Sequence, residues 1–174
     1  MIIIIRGLSR HPLPDETDSD FQNDCLNSSN NYRQYHESPD FVLDQSLVDY
    51  AKSRCQTISQ NEGTLSHDGL DKGIGENLAW MCKWGSKMCT GQQAVDMWYA
   101  EEKHYNYSDP KYSPKTGHFT QLVWKDTVHV GCARCFGRGP RGNETYIVCN
   151  YKPRGNIVGY KNVFFRRNVL DPEY

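Results

Sequence analysis

The late part of the chain carries two apolar runs, Val128 to Phe136 and Thr145 to Tyr151, separated by Gly137-Arg138-Gly139-Pro140-Arg141-Gly142-Asn143. Runs of this length bounded by glycine and proline read as paired antiparallel strands. A hairpin of this kind sets Cys135 and Cys149 side by side, which makes them the first disulfide candidates. With 174 residues, 37% of them hydrophobic, the chain can bury one core and is too short for two ordinary domains. The strands and everything before them must therefore share that core.

Upstream, the periodicity is helical. Phe21, Cys25, Tyr32 and Tyr35 or His36 recur near helical spacing, and Leu47, Val48, Ala51, Cys55 and Ile58 form a second stripe behind Asp44 as N-cap. Glycines and polar residues between Glu62 and Gly75 predict a loop that holds His67. Thr90 and Gln93 have capping-box spacing and open a third helix through Ala94, Val95, Trp98 and Glu101 to about His104. After the proline-bearing loop Asn106 to Lys115, His118 to Trp124 reads as a short helix and the remainder as strands. Helices followed by a late antiparallel sheet make an α+β layering. Residues 1–20 are too polar to pack and read as a mobile leader, with the domain over 21–170 and a tail over 171–174.

Charge excludes one class of partner. Twenty basic and 21 acidic residues leave a net charge of -1, without the footprint of a nucleic-acid binder, and Arg166-Arg167 is a solvated pair. Met1 to Ile5 is shorter than the ~7–15-residue apolar core of a signal peptide. No window reaches the ~20 apolar residues of a membrane span.

Seven cysteines leave at least one without an intrachain partner. Cys82 and Cys89 flank a short polar loop and are a second candidate bridge. Cys132-x-x-Cys135 has no matching second pair, which argues against a structural zinc ribbon. Cysteine density, with sequons at Asn27, Asn106 and Asn143, favours a secreted chain; a cytosolic chain with buried thiols, or one peripheral to a membrane, is the alternative.

GENLAW (Gly75 to Trp80), WYAEE, GHFTQLVW (Gly117 to Trp124) and YIVCNYKPRGNIVG (Tyr146 to Gly159) together resemble the CAP superfamily of cysteine-rich secretory, antigen 5 and class 1 pathogenesis-related proteins. The tail PRGNIVGYKNVFFRRNVLDP adds a likeness to the Golgi-associated branch, although MIIIIR is not the myristoylation start of that branch. The resemblance implies a three-layer α/β/α sandwich with a central antiparallel sheet. It implies a long-range bridge between Cys55 and Cys132, as similar ones occur in the secreted members, and leaves Cys25 as the odd thiol. SNNYR at Ser29 to Arg33 departs from the usual HNxxR, and GCARC spaces its cysteines closely.

The same resemblance brings His67, Glu76, Glu101 and His118 into one cleft, a set suited to weak, reversible binding of Zn²⁺ or another divalent metal. Glu101 is preferred to Glu102, which would point to solvent. Sterols, fatty acids and phospholipids are the implied ligands, with Trp84, Met88 and Met97 as contacts. The loop Met81 to Cys89 would then face a membrane surface. Binding of lipid or of a protein partner is the expected role. A metal-dependent hydrolase in the same cleft is the alternative, though no HExxH pattern is present, and a pure extracellular signalling ligand is a third reading.

Overall fold

The computed structural model describes residues 10–83, 87–140 and 142–173. β3 (His129–Gly139) and β4 (Gly142–Lys152) form the expected hairpin, with a ladder that continues to Gly139↔Gly142. Much of the glycine-rich stretch read as loop is therefore strand. β2 (Gly75–Lys83) pairs antiparallel along the other edge of β4, and β1 (Val42–Leu43) adds two residues parallel to β3. The sheet order is β1-β3-β4-β2, so the sheet is mixed rather than purely antiparallel.

Strand side chains alternate between two cores. Leu78, Ala133, Cys135, Tyr146 and Val148 face α2 (Gln45–Ser59), which contributes Ala51, Cys55 and Ile58. Ala79, Cys132, Ile147, Cys149 and Tyr151 face the opposite layer. That layer is α1 (Ser19–Tyr35), α3 (Gly91–Tyr99) and α4 (Gly117–Leu122), which supply Phe21, Cys25, Val95, Trp98, Phe119 and Leu122. The chain is thus an α/β/α sandwich. Gly131 lets the outer layer close: a Cβ there would collide with the α2 backbone at Leu47 and Val48.

The helix starts follow their caps. Asp44 accepts from the amides of Ser46 (2.8 Å) and Leu47 (3.4 Å), and Thr90 and Gln93 form the capping box in both directions. The third helix tightens at Ala100–His104 into a 3-10 turn, which carries Glu101. The C-terminal stretch read as strand is instead α5 (Val163–Asn168), because Phe165 and Asn168 share one buried face and the Phe165 ring meets Trp124 edge-on at 5.0 Å.

Two further expectations are corrected. Strand alternation defeats the Cys135–Cys149 bridge: Cys149 lies opposite Cys132 in the ladder and bonds to it, while Cys135, three residues along, points to the other face. That bond also removes Cys132 from the long-range bridge to Cys55. Cys89 is a free buried thiol, and the side chain of Cys82, its expected partner, lies outside the described residues. The described part of the leader packs. Leu13 enters the α2-side core, Pro14 accepts from Phe136 N (3.1 Å), Glu16 N donates to Arg134 (2.8 Å), and Arg10 pairs with buried Glu144. This polar segment can pack because its backbone completes the outer edge of β3, which β1 covers only at the other end.

Candidate functional site

The site forms where the first residues of β2 emerge between the two helical layers. Because successive strand residues point to opposite faces, Glu76 turns toward α2 and Asn77 toward α4. Gly75 precedes them without a side chain, since a Cβ there would strike Gln121.

On the α2 side, Glu76 is buried and receives four donors. Arg54 reaches it with Nε and Nη2 at 2.8 Å each, His67 donates from Nδ1 at 2.9 Å, and Asn150 from Nδ2 at 3.1 Å. Burial works to raise the Glu76 carboxyl, but the hydrogen bonds from Arg54, His67 and Asn150 outweigh it and hold the group below the ordinary carboxylate range. Arg54 also donates to the carbonyls of Asp68 (2.7 Å) and Ser66 (3.1 Å), so one guanidinium fixes both Glu76 and the loop that bears His67.

On the α3/α4 side, Glu101 Oε1 accepts from His118 Nδ1 at 2.7 Å, while Oε2 accepts from the amides of His118 (3.0 Å) and Phe119 (3.2 Å). Thr116 offers no side-chain cap to α4, and Glu101 takes over that role from a distance. Asn77 Nδ2 donates to His118 O at 3.0 Å, and Asn156 spans Gly117 O and the Thr120 hydroxyl. The His118 ring stacks at 6.2 Å on Trp98. Glu102, expected in solvent, accepts from the Tyr107 hydroxyl at 2.9 Å.

The four residues singled out in the sequence thus meet as two His–Glu pairs. His67, Glu76 and His118 line one cavity of about 150 Å³ with Tyr112 and Asn156; an adjoining cavity of about 270 Å³ shares His67 and Glu76 and adds Leu70, Ile74 and Val158. A larger cavity of about 290 Å³, lined by Glu62, Trp80 and Glu144 among others, contains neither pair. Among the described residues, the only group of three or more potential ligands with atoms within 4.8 Å of one another is Cys25, Cys132 and Cys149. Two of those sulfurs are bonded to each other, so they are not a ligand set as they stand.

Of the expected lipid contacts, Trp84 lies outside the described residues, Met88 is half-buried and Met97 is exposed on α3. Neither methionine lines the two cleft cavities. Arg54, Asn150, Asn77 and Asn156 were missed in the sequence. Only Arg54 left a trace there, as a charge next to Cys55 in an otherwise apolar stripe.

The family model for the cysteine-rich secretory protein family, CAP, matches residues 26–151. The chain is 34% identical over 154 residues to human Golgi-associated plant pathogenesis-related protein 1, covering 88% of this chain and 94% of that one. It is 41% identical over 120 residues to pathogenesis-related protein 1 of Arabidopsis thaliana, covering 68% and 67%, and 38% identical over 141 residues to yeast PRY2, covering 80% of this chain and 39% of that longer one. Solved structures agree in fold. Venom allergen-like protein 4 of Schistosoma mansoni superposes with a TM-score of 0.60 at 22% identity, over 79% of this chain and 91% of that one. A structure of NaASP2 with Zn²⁺ gives 0.65 at 21% identity, over 92% and 90%. By its match to the family model over residues 26–151 and its identity to these relatives, the chain belongs to the cysteine-rich secretory protein (CAP) family.

Proposed function

We propose that the cleft binds a divalent cation of the Zn²⁺ class through His67 and His118, and that the protein acts by binding a lipid or a protein partner rather than by turnover. One observation carries the metal reading. Each imidazole spends Nδ1 on a carboxylate, Glu76 or Glu101, which leaves Nε2 as the nitrogen for a ligand, and both rings line the same cavity. A carboxylate that orients the ring behind a ligating histidine is the usual supporting arrangement of such sites. Glu76, already host to four donors, is a holder of the ring and not a ligand. Two nitrogen ligands leave the remaining positions to water, so binding is weak and reversible.

Leu70, Ile74, Val158 and the Tyr112 ring supply the apolar side of the adjoining cavity, with Val158 and Tyr112 well exposed. An acyl chain or the edge of a sterol would lie there, with its polar end toward the histidines. Relatives include a Golgi-associated protein and the secreted protein RBT4 of Candida albicans. Among the described residues no helix is long and apolar enough to cross a membrane. The Cys132–Cys149 bond favours an oxidising compartment and therefore secretion.

Titration of EDTA-treated protein with Zn²⁺ tests the metal reading: H67A and H118A should each abolish one-to-one binding. Sterol or phospholipid-vesicle binding and peptide hydrolysis measured on the same variants test the rest. Hydrolysis by the wild type that disappears in both variants, with vesicle binding retained, would establish turnover and overturn the binding reading.

A further inference from the structure

Residues 10–17 precede the stretch matched by the family model and run as an extended strap along the outer edge of β3. Among them only Leu13 is buried. The strap is held at spaced points. Arg10 donates from Nε to Ser59 O at 2.7 Å and from Nη2 to the Glu144 carboxylate. Leu13 enters the core between α2 and the sheet, where Gly137 leaves room for it, and its amide donates to Ser59 Oγ at 3.0 Å. Asp15 pairs with Lys52 at 3.3 Å. The Arg134 guanidinium donates to Glu16 O at 3.0 Å, and Arg134 N to the Thr17 hydroxyl at 2.8 Å. Pro12 and Pro14 fix an extended backbone, and Pro14 meets β3 through its carbonyl rather than its missing amide, as a proline in an edge strand must.

The groove beneath has chemistry of its own. Glu144 is 1% exposed, and the one cation that pairs with it among the described residues is Arg10. Its other donor is the Tyr146 hydroxyl at 3.2 Å, which is neutral. A buried carboxylate without a counter-charge is strongly unfavourable, so a vacated groove demands a cation at that point. Next to Glu144 come the apolar seat of Leu13 and then the Lys52 ammonium, alongside the Phe136 amide and Arg134 carbonyl of the β3 edge.

We propose that this groove is a docking surface for an extended segment of a partner protein, one with an arginine, an apolar residue three positions later and an acid two positions after that. Residues 10–17 carry that pattern as Arg10, Leu13 and Asp15, and occupy the groove until the partner displaces them. The mode is strand addition, with main-chain bonds to an edge for affinity and alternate side chains for specificity. Displacement is feasible because one apolar side chain and one buried ion pair anchor the strap, and segments with few buried contacts open before the rest of a fold. The advantage of the strap is its high effective concentration, not contacts that a partner could not copy. None of these residues lines the two cleft cavities, so the surface is independent of the His–Glu pairs.

The probe is a fluorescent peptide with the sequence of residues 10–18, RHPLPDETD, added to the full chain and followed by anisotropy. R10A/L13A loosens the strap and should take up the peptide at least about tenfold more tightly than the wild type. Replacing the arginine or the leucine of the peptide by alanine should weaken that uptake by about tenfold or more. No uptake by R10A/L13A, or uptake indifferent to the arginine of the peptide, overturns the proposal. A second measurement needs no variant. In the wild type with excess peptide, amide hydrogen exchange should speed up in residues 10–17 while residues 132–138 of β3 keep their protection, and unchanged exchange in the strap overturns the proposal equally. A wild type that dimerises and excludes the peptide would assign the groove to exchange of the strap between two copies and overturn the partner reading.

Discussion

The two His–Glu pairs are chemically alike and physically different. In the first the carboxylate is the buried partner: the Glu76 side chain is fully enclosed while the His67 side chain is 55% exposed. In the second, Glu101 and His118 are both partly exposed, at 22% and 33%. Glu76 is neutralised by an arginine from another layer, whereas Glu101 pairs with no guanidinium among the described residues and instead serves the opening turn of α4. The first pair is a buried charge cluster on which local folding depends. The second is a helix cap that also steers a ring. The same two residue types can thus orient an imidazole by two mechanisms that differ in what they demand of the fold.

The largest expected effect breaks the first mechanism at its source. Arg54→Ala leaves Glu76 buried without its counter-charge and frees the Ser66–Asp68 carbonyls, at a cost of about 3–5 kcal/mol. A fall of about 10 °C in Tm follows. Thermal denaturation of the metal-free protein checks this, and a loss below about 1 kcal/mol would show that the cluster is solvated and that the two pairs differ less than their burial implies.

Glu→Gln in each pair makes the comparison direct. Glu76→Gln strands Arg54 opposite a neutral amide and should cost about 2–3 kcal/mol. Glu101→Gln keeps one acceptor for the α4 amides and should cost about 1 kcal/mol. Both should weaken Zn²⁺ binding by about 10- to 100-fold, because each disturbs the ring behind a ligand. Equal stability losses with unequal metal losses would invert the assignment of roles.

Acid separates the pairs by a different route. The folded Glu76 carboxyl sits below its ordinary value of 4.5, so the unfolded chain takes up its proton first as pH falls. Its stabilisation is complete above pH 4.5 and is lost as pH drops from there through the depressed folded value. In EDTA-treated protein, denaturant melts across that window should therefore show wild type converging on Glu76→Gln. A constant gap between them at every pH would mean that proton uptake by Glu76 is not linked to folding.

The contrast also explains what the sequence made legible. Asp44, Thr90 and Gln93 act through neighbours two or three residues away, and their helices start where local chemistry placed them. The β3–β4 hairpin was visible for the same reason, yet its cysteine pairing was misread because one face or the other depends on register, which the loop composition left open. β2 escaped notice since GENLAW mixes glycine, glutamate and asparagine in a strand whose side chains serve the cleft as much as the core. The four site residues were recognisable through family motifs. Their holders were not: Arg54 lies 22 residues from Glu76, and Asn150 lies 74 residues from it.

The smallest expected effect comes from the residue beside Glu101. Glu102 lies in the same 3-10 turn, but its carboxylate turns away to the Tyr107 hydroxyl and touches neither histidine. Glu102→Gln keeps an oxygen able to accept that bond, so stability should change by no more than about 1 kcal/mol and Zn²⁺ affinity by less than twofold. Set against Glu101→Gln, this pair of neighbours isolates direction from proximity: the charge lost is the same, the chain position differs by one, and only one of the two carboxylates reaches the ring. A metal-affinity loss in Glu102→Gln comparable to that in Glu101→Gln would show that the second pair works through the general negative field of the turn and not through the 2.7 Å contact between Glu101 and His118.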